Sequence, residues 1–335
     1  MSITAVQLHA AYDQGASAGA KLGALLMPAG VNISGAEFGS VIPGTAGIDY
    51  VLFSLSELDY YISKGMTVIR VPFRWERIQP VLGGDLDPAH VTWLTGLVQH
   101  NPAVTILLDL HNYGYYNSVL IGAPGGPTQA QFADVWSRIT ALFPGAPNVA
   151  YGLMNEPSAV SQASWLASVN MAIASIRSAG GIGQILIPGA NNFTGAWSWV
   201  SSGNAAILGN SIVDPLNNYV FDVHQYLDYN GSGSSATAVS ATIGSERISS
   251  VTKWGRANPG KRFFLGEFGI ANNSTMLAAM SDMLTYLRNN ADVWNGGWAI
   301  WGAGPWWAPS YIYRVDQSIG PVDSAQMTAL LPLLS

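Results

Sequence analysis

The chain has 335 residues, with 14 basic and 20 acidic side chains and no cysteine, which excludes thiol catalysis, disulfide frameworks and cysteine-ligated zinc. A net charge of −6 without a cluster of Lys or Arg argues against a nucleic-acid partner. Only 10% of residues are charged although 12 Trp, 14 Tyr and 10 Phe are present, against about 25% charged in ordinary globular proteins, so the position of each ionisable residue carries weight.

Residues 1–26 are Ala- and Gly-rich and weakly patterned, and read as an N-terminal extension packing on a domain formed by 27–335. The apolar stretch at 22–31 contains Pro28 and lacks a basic n-region. It is too short for a membrane span of about 20 residues and does not read as a signal peptide. No membrane association is expected, and a secreted protein would have lost its leader from this chain.

A strand-like run at 30–34 precedes a helical pattern at 54–64, which stops at Lys64-Gly65. Strand-like 67–73 leads to helical 88–100, with Pro88 in its first turn; 104–111 leads to 129–143, and 149–156 to 161–179, which is stopped by Gly180-Gly181. The runs at 184–188 and 219–226 succeed each other with no clear helical pattern between them. Residues 229–244 read as a mobile surface loop. The last units are 245–258, strand-like 262–268, helical 275–290, strand-like 297–302 and helical 324–334. Continuous apolar strands such as Val104-Thr-Ile-Leu-Leu-Asp-Leu imply burial on both faces and hence a parallel sheet. Eight strands alternating with helices, roughly 34 residues per unit, predict a single (β/α)8 TIM barrel. A doubly wound sheet fits less well, because no glycine-rich phosphate loop comes after the first strand.

A barrel carries its chemistry at the C-terminal ends of its strands, and the few polar residues collect there. Arg70 lies in strand 2, His111 and Asn112 end strand 3, and Asn155-Glu156 ends strand 4. His224 and Tyr226 end strand 6, Glu267 ends strand 7 and Trp301 ends strand 8. His224 and Tyr226, two apart, point to one side of a strand. Asn155 and Glu156 are adjacent and serve one site only if the strand breaks there, which Pro157 favours. A single polar residue at a strand end is commonly just solvated; eight on one rim of so uncharged a chain are not explained that way.

Two carboxylates, Glu156 and Glu267, stand three strands apart around this rim. Such a pair can hydrolyse a glycosidic bond, with retention when the carboxyl groups are about 5–5.5 Å apart and inversion at about 6.5–9.5 Å; the residues alone leave that distance open. Arg70 and the Tyr226 hydroxyl would keep Glu267 charged as a nucleophile. That charge would discourage ionisation of Glu156 and leave it an acid. Asn155 is placed to bond a sugar 2-hydroxyl.

This ordered set resembles glycoside hydrolase family 5, whose catalytic glutamates lie on strands 4 and 7. The matching segments are VIRVPFRWERIQP (Arg70), LLDLHNYGYY (His111), YGLMNEP (Asn155, Glu156), DVHQYLD (His224, Tyr226), FLGEFG (Glu267) and WAIWGAGPWW (Trp301). GVNISGAEFG, HNYGYY and GAGPWW look most like its endo-β-1,4-glucanase subfamily, and the lack of cysteine leans towards bacterial members. The resemblance implies retention, with Glu267 as nucleophile and Glu156 as acid/base, no cofactor and no metal. It also implies a monomer acting on a β-1,4-glucan or cello-oligosaccharide outside the cell. Sugar rings have apolar faces that pack on aromatic side chains. Trp301 is then expected under the sugar at the cleaved bond, with Trp197, Trp306, Asn112, Tyr113 and Phe38 at further subsites. Trp93, Trp136, Trp165 and Trp254 lie in helical patterns and read as packing. A mannanase or other β-glycanase on the same machinery, a metal-dependent hydrolase using His111, His224, Glu156 and Glu267, and a carbohydrate-binding barrel are the alternatives.

Overall fold

The computed structural model describes residues 27–316 and 322–334; the extension expected at 1–26 lies outside them. Eight parallel strands close into a barrel: β1 (Ala29–Ile33), β2 (Val68–Phe73), β3 (Thr105–Leu110), β4 (Val149–Gly152), β5 (Ile185–Pro188), β6 (Tyr219–His224), β7 (Phe263–Glu267) and β8 (Gly297–Ala303). Each pairs with its neighbours in sequence and β8 pairs back onto β1, the single (β/α)8 barrel expected from the alternation. Among the described residues no helix is long and apolar enough to cross a membrane.

The outer helices are α1 (Leu55–Ser63), α2 (Pro88–His100), α3 (Gln129–Thr140), α4 (Gln162–Ser178), α5 (Asn204–Leu208), α6 (Ile243–Ala257), α7 (Ser274–Asn289) and α8 (Ala325–Leu330). Their starts obey local chemistry. Ser54 with Glu57 and Thr128 with Gln131 form capping boxes at α1 and α3, and Asp87 caps α2 ahead of Pro88 at its first position. The unit between β5 and β6 departs from the repeat. Two single 3₁₀ turns and the five-residue α5 take the place of a full helix, because Gly195, Gly203 and Gly209 punctuate a segment with little helical periodicity. Hydrogen bonds hold the first part of the 229–244 segment. Asp228 is buried and accepts from the N–H groups of Ser234 and Ser235 at 3.0 and 3.2 Å, and the Tyr313 hydroxyl donates to the Ser235 carbonyl at 2.6 Å.

Period two along the strands sorts the interior into layers. Val68, Leu107, Ala150, Leu186, Val220, Phe264 and Ala299, one from each of β2 to β8, form an apolar plug inside the barrel. Gly30 completes this level on β1, in register with Val68 and Ala299; a Cβ there would lie 2.3 Å from the Val68 carbonyl oxygen. Two residues further along the strands the lining turns polar, with Arg70, Asp109 and Asp222 all buried. One more step brings His111 and His224 to the rim. The alternate residues Ile69, Val71, Ile106, Leu108, Ile187, Phe221 and Leu265 face outward into the larger core beneath the helices. Trp136 and Trp165 are fully buried there, and Trp93 and Trp254 pack against that core, as their helical positions suggested.

Candidate active site

β4 ends at Gly152, four residues earlier than the sequence pattern implied, and the chain from Leu153 onward is irregular. The Trp136 indole donates to the Leu153 carbonyl at 3.1 Å and Asn155 N–H donates to the Leu110 carbonyl at 2.8 Å, so the break is anchored to α3 and β3. Glu156 then takes φ = 39° immediately before Pro157. That left-handed turn lets two adjacent residues serve one site: Asn155 Oδ1 accepts from Arg70 Nη2 at 2.9 Å, while Glu156 Oε1 accepts from His224 Nδ1 at 2.6 Å.

Glu267 ends β7 and is almost completely buried. Arg70 Nη1 lies 2.6 Å from its Oε1 and the Tyr226 hydroxyl donates to Oε2 at 2.9 Å. Arg70 is fixed in turn by Asn32 Oδ1 (2.7 Å) and Asp109 Oδ2 (3.0 Å). A bulge between Val223 and His224 sets His224 opposite Glu267, with Nδ1 3.6 Å from the nearer carboxylate oxygen. One carboxylate oxygen from each glutamate and a ring nitrogen of His224 all lie within 4.8 Å of one another.

These contacts separate the two carboxyl groups electrostatically. Burial works to raise Glu267, but the charges of His224 and Arg70 overcome it and hold its pKa down at about 2. For Glu156, burial is the main force and the Glu267 charge adds to it; together they outweigh the pull of His224 and raise its pKa. His224 is itself pushed up to about 10: burial opposes its charge, and Glu267, Asp222 and Glu156 favour it. The three donor atoms could in principle hold a cation. Arg70, however, already sits against Glu267 with its full positive charge, and a dication there would meet it at close range.

The remaining expected residues divide into three groups. Trp301 stacks on His111 with ring centroids 5.6 Å apart, and its indole N–H donates to the Tyr311 hydroxyl at 3.2 Å. Phe38 stacks on Trp306 at 5.3 Å and meets Trp301 edge-on at 6.2 Å, so these rings form one wall. His111 Nδ1 donates to Asp109 at 2.7 Å, which leaves Nε2 to the Tyr113 hydroxyl, 3.3 Å away. Tyr113 is part-exposed with φ = 54°, and it borders a cavity of about 520 Å³ that Arg74, Glu76 and Tyr115 also line. Trp197 lies apart from that wall, half-exposed on the loop after β5. Asn112 borders the same cavity but is 2% exposed; its Oδ1 accepts from Trp75 N–H at 2.6 Å and its Nδ2 donates to Glu76 at 2.7 Å. Both ends of its amide therefore serve the rim between β2 and β3.

Sequence reading passes over Asp109, Asp222, Asn32, Trp307 and Tyr311. Asp109 and Asp222 have a legible signal, since both strands carry Asp-x-His (Asp109-Leu-His111 and Asp222-Val-His224), which puts each carboxylate on the face of its histidine. Trp307 and Tyr311 are stacked at 3.8 Å, a contact made by a loop fold that no periodicity announces.

A family model described as Cellulase (glycosyl hydrolase family 5) matches residues 44–304. The chain belongs to glycosyl hydrolase family 5. Among family members it is 38% identical over 311 residues to endo-beta-1,4-glucanase B of Aspergillus niger, covering 91% of this chain and 88% of that one. It is 40% identical to the endo-beta-1,4-glucanase Xac0029 of Xanthomonas axonopodis pv. citri, whose crystal structure superposes with a TM-score of 0.87 over 92% of this chain and 98% of that one. The structure of XacCel5A in complex with cellopentaose matches with the same TM-score and identity, over 92% and 99%. This family 5 protein is thus a glycoside hydrolase.

Proposed function

We propose that this family 5 hydrolase is an endo-acting, retaining β-1,4-glucanase in which Glu267 is the nucleophile and Glu156 the acid/base. One observation carries the reading: carboxylate oxygens of the two residues approach within 4.8 Å. So close an approach supports the short class of carboxyl pairs, about 5–5.5 Å apart, over the 6.5–9.5 Å class that holds a water between carboxylate and sugar. The electrostatics support these roles. Glu267, held ionised by Arg70, Tyr226 and His224, attacks the anomeric carbon as the glycosidic C–O bond breaks. Glu156, kept protonated above the usual carboxylate range, gives its proton to the departing oxygen. In the second step Glu156, now a base, takes a proton from water as that oxygen attacks the anomeric carbon and the ester to Glu267 opens.

The other residues hold this geometry or the sugar. Asn155 turns its carbonyl oxygen to Arg70, which leaves its amide N–H₂ end for a sugar hydroxyl. Trp301, stiffened by His111 and Tyr311, is the platform for the sugar whose bond is cut; Phe38, Trp306 and Tyr113 extend that surface, and Trp197 stands apart from it. The endo-β-1,4-glucanase names of the relatives support glucan as substrate, a polymer met outside the cell. The site is completed within one chain, in keeping with a monomer.

Carboxymethyl-cellulose is expected to lose viscosity faster than reducing ends appear, and kcat/KM on it is expected to exceed that on galactomannan by at least about tenfold. The difference of one axial hydroxyl at a close-packed subsite is worth about 1–3 kcal/mol. Measured side by side, a preference for galactomannan would overturn the substrate assignment and leave the mechanism standing.

A further inference from the structure

Strands β3 and β6 both carry Asp-x-His, but the two pairs are used differently. His111 gives its Nδ1 to Asp109 of its own strand at 2.7 Å. His224 turns Nδ1 away from its strand, to Glu156 Oε1 at 2.6 Å, and its Nε2 is buried with no hydrogen-bond partner among the described residues. Facing that Nε2 is Asp222, whose Oδ2 lies 3.8 Å away. Asp222 is itself buried, and its Oδ1 is likewise without a partner. The strand bulge makes room for it. Gly266 is the extra residue of β7 opposite the Val223–His224 step, and a Cβ there would collide with Asp222 Oδ1.

The protons of the His224 ring follow from this placement. A ring with its single proton on Nδ1 would turn a bare lone pair towards the Asp222 carboxylate. A ring with its single proton on Nε2 would accept from Glu156, and so hold back the proton that the acid must release. Only a ring protonated at both nitrogens satisfies both neighbours; Glu156 then accepts at Oε1 and carries its own proton on Oε2. The surrounding charges favour the same state. Glu267 of β7 lies 3.6 Å from Nδ1, the Tyr226 hydroxyl donates to the oxygen of Glu267 that faces the ring, and Arg70 of β2 meets its other oxygen. We propose that Asp222 is a positioning residue that keeps a proton on His224 Nε2, so that His224 stays a donor to Glu156 in both steps and never takes the acid's proton. This inference rests on the reading of Glu156 as the acid/base.

Nitrogen-15 NMR of the histidine rings tests it. In the wild-type protein at neutral pH both ring nitrogens of His224 are expected at the shifts of an imidazolium, and a neutral His224 there overturns the proposal without any variant. Asp222→Asn keeps the shape and removes the charge. In it His224 is expected to titrate at least about one pH unit lower, the scale of losing an opposite charge within about 4–6 Å. Removing a buried negative charge loosens the protons of both His224 and Glu156. The alkaline limb of kcat/KM on cellopentaose is therefore expected to move to lower pH, by at least about half a unit. A titration and a limb both unmoved within about 0.2 pH unit, well inside that scale, overturn the proposal; Asp222 would then serve only as a counter-charge to Arg70. Cellopentaose cleaved at the wild-type rate by Glu156→Ala removes the acid/base reading itself, and the proposal with it.

Discussion

Glu267→Gln lowers turnover of carboxymethyl-cellulose by about 10⁴-fold or more, the scale seen when a covalent nucleophile is lost, while the protein still folds and binds the glucan. Gln keeps the shape of the side chain and its carbonyl can still accept from Arg70 or Tyr226, which contact Glu267 at 2.6 and 2.9 Å. It cannot form the glycosyl ester. Arg70 keeps Asp109 at 3.0 Å as a counter-charge, so no buried cation is left alone. The substitution has an electrostatic consequence that a purely structural role would not produce. The Glu267 charge is one of the forces that raise Glu156; with it gone, the Glu156 pKa is expected to move down, and an NMR titration of its carboxyl carbon reads the shift. Ordinary hydrolysis by the variant would refute the nucleophile assignment and leave a barrel that merely binds sugar.

Glu156→Ala is expected to cut turnover of carboxymethyl-cellulose by about 10²–10⁴-fold, the usual share of a general acid. The loss depends on the departing group. With 2,4-dinitrophenyl β-cellobioside the leaving phenol needs no proton, so Glu267 still attacks and the glycosyl-enzyme accumulates for want of a base. Azide, which needs no base, enters the space left by the carboxyl group and is expected to restore turnover and yield a β-glycosyl azide. The pH profile separates the roles again. Glu267, held at about 2, stays ionised until strongly acid pH. Glu156, raised by burial and by the Glu267 charge, keeps its proton above the ordinary carboxylate range, and the rate falls as pH rises through that raised pKa. In Glu156→Ala with the dinitrophenyl substrate this alkaline limb is expected to vanish. A variant indifferent to azide that retains the limb would assign the acid elsewhere.

How much of the fold and the site is legible in the sequence depends on which physical signals are local. The barrel is legible because burial on both faces gives continuous apolar strands, and α2 matches its expected bounds because Asp87 and Pro88 start it by local chemistry. The carboxylate pair is legible because strand ends of a barrel converge, wherever the loops go. Strand 4 reads too long: Leu153 and Met154 are apolar and buried, so hydrophobic pattern alone cannot show that the sheet stops at Gly152. The partners of Asn112 are not legible, because its position at a strand end says nothing of Trp75 and Glu76, which a one-turn helix after β2 supplies.

A double displacement through Glu267 fixes the configuration of the newly formed reducing end. Proton NMR of cellopentaose in the first minutes of cleavage, before mutarotation equalises the anomers, is expected to show the β-anomer appearing first and the α-anomer only later. Initial appearance of the α-anomer would mean a single displacement by water, with no glycosyl ester on Glu267.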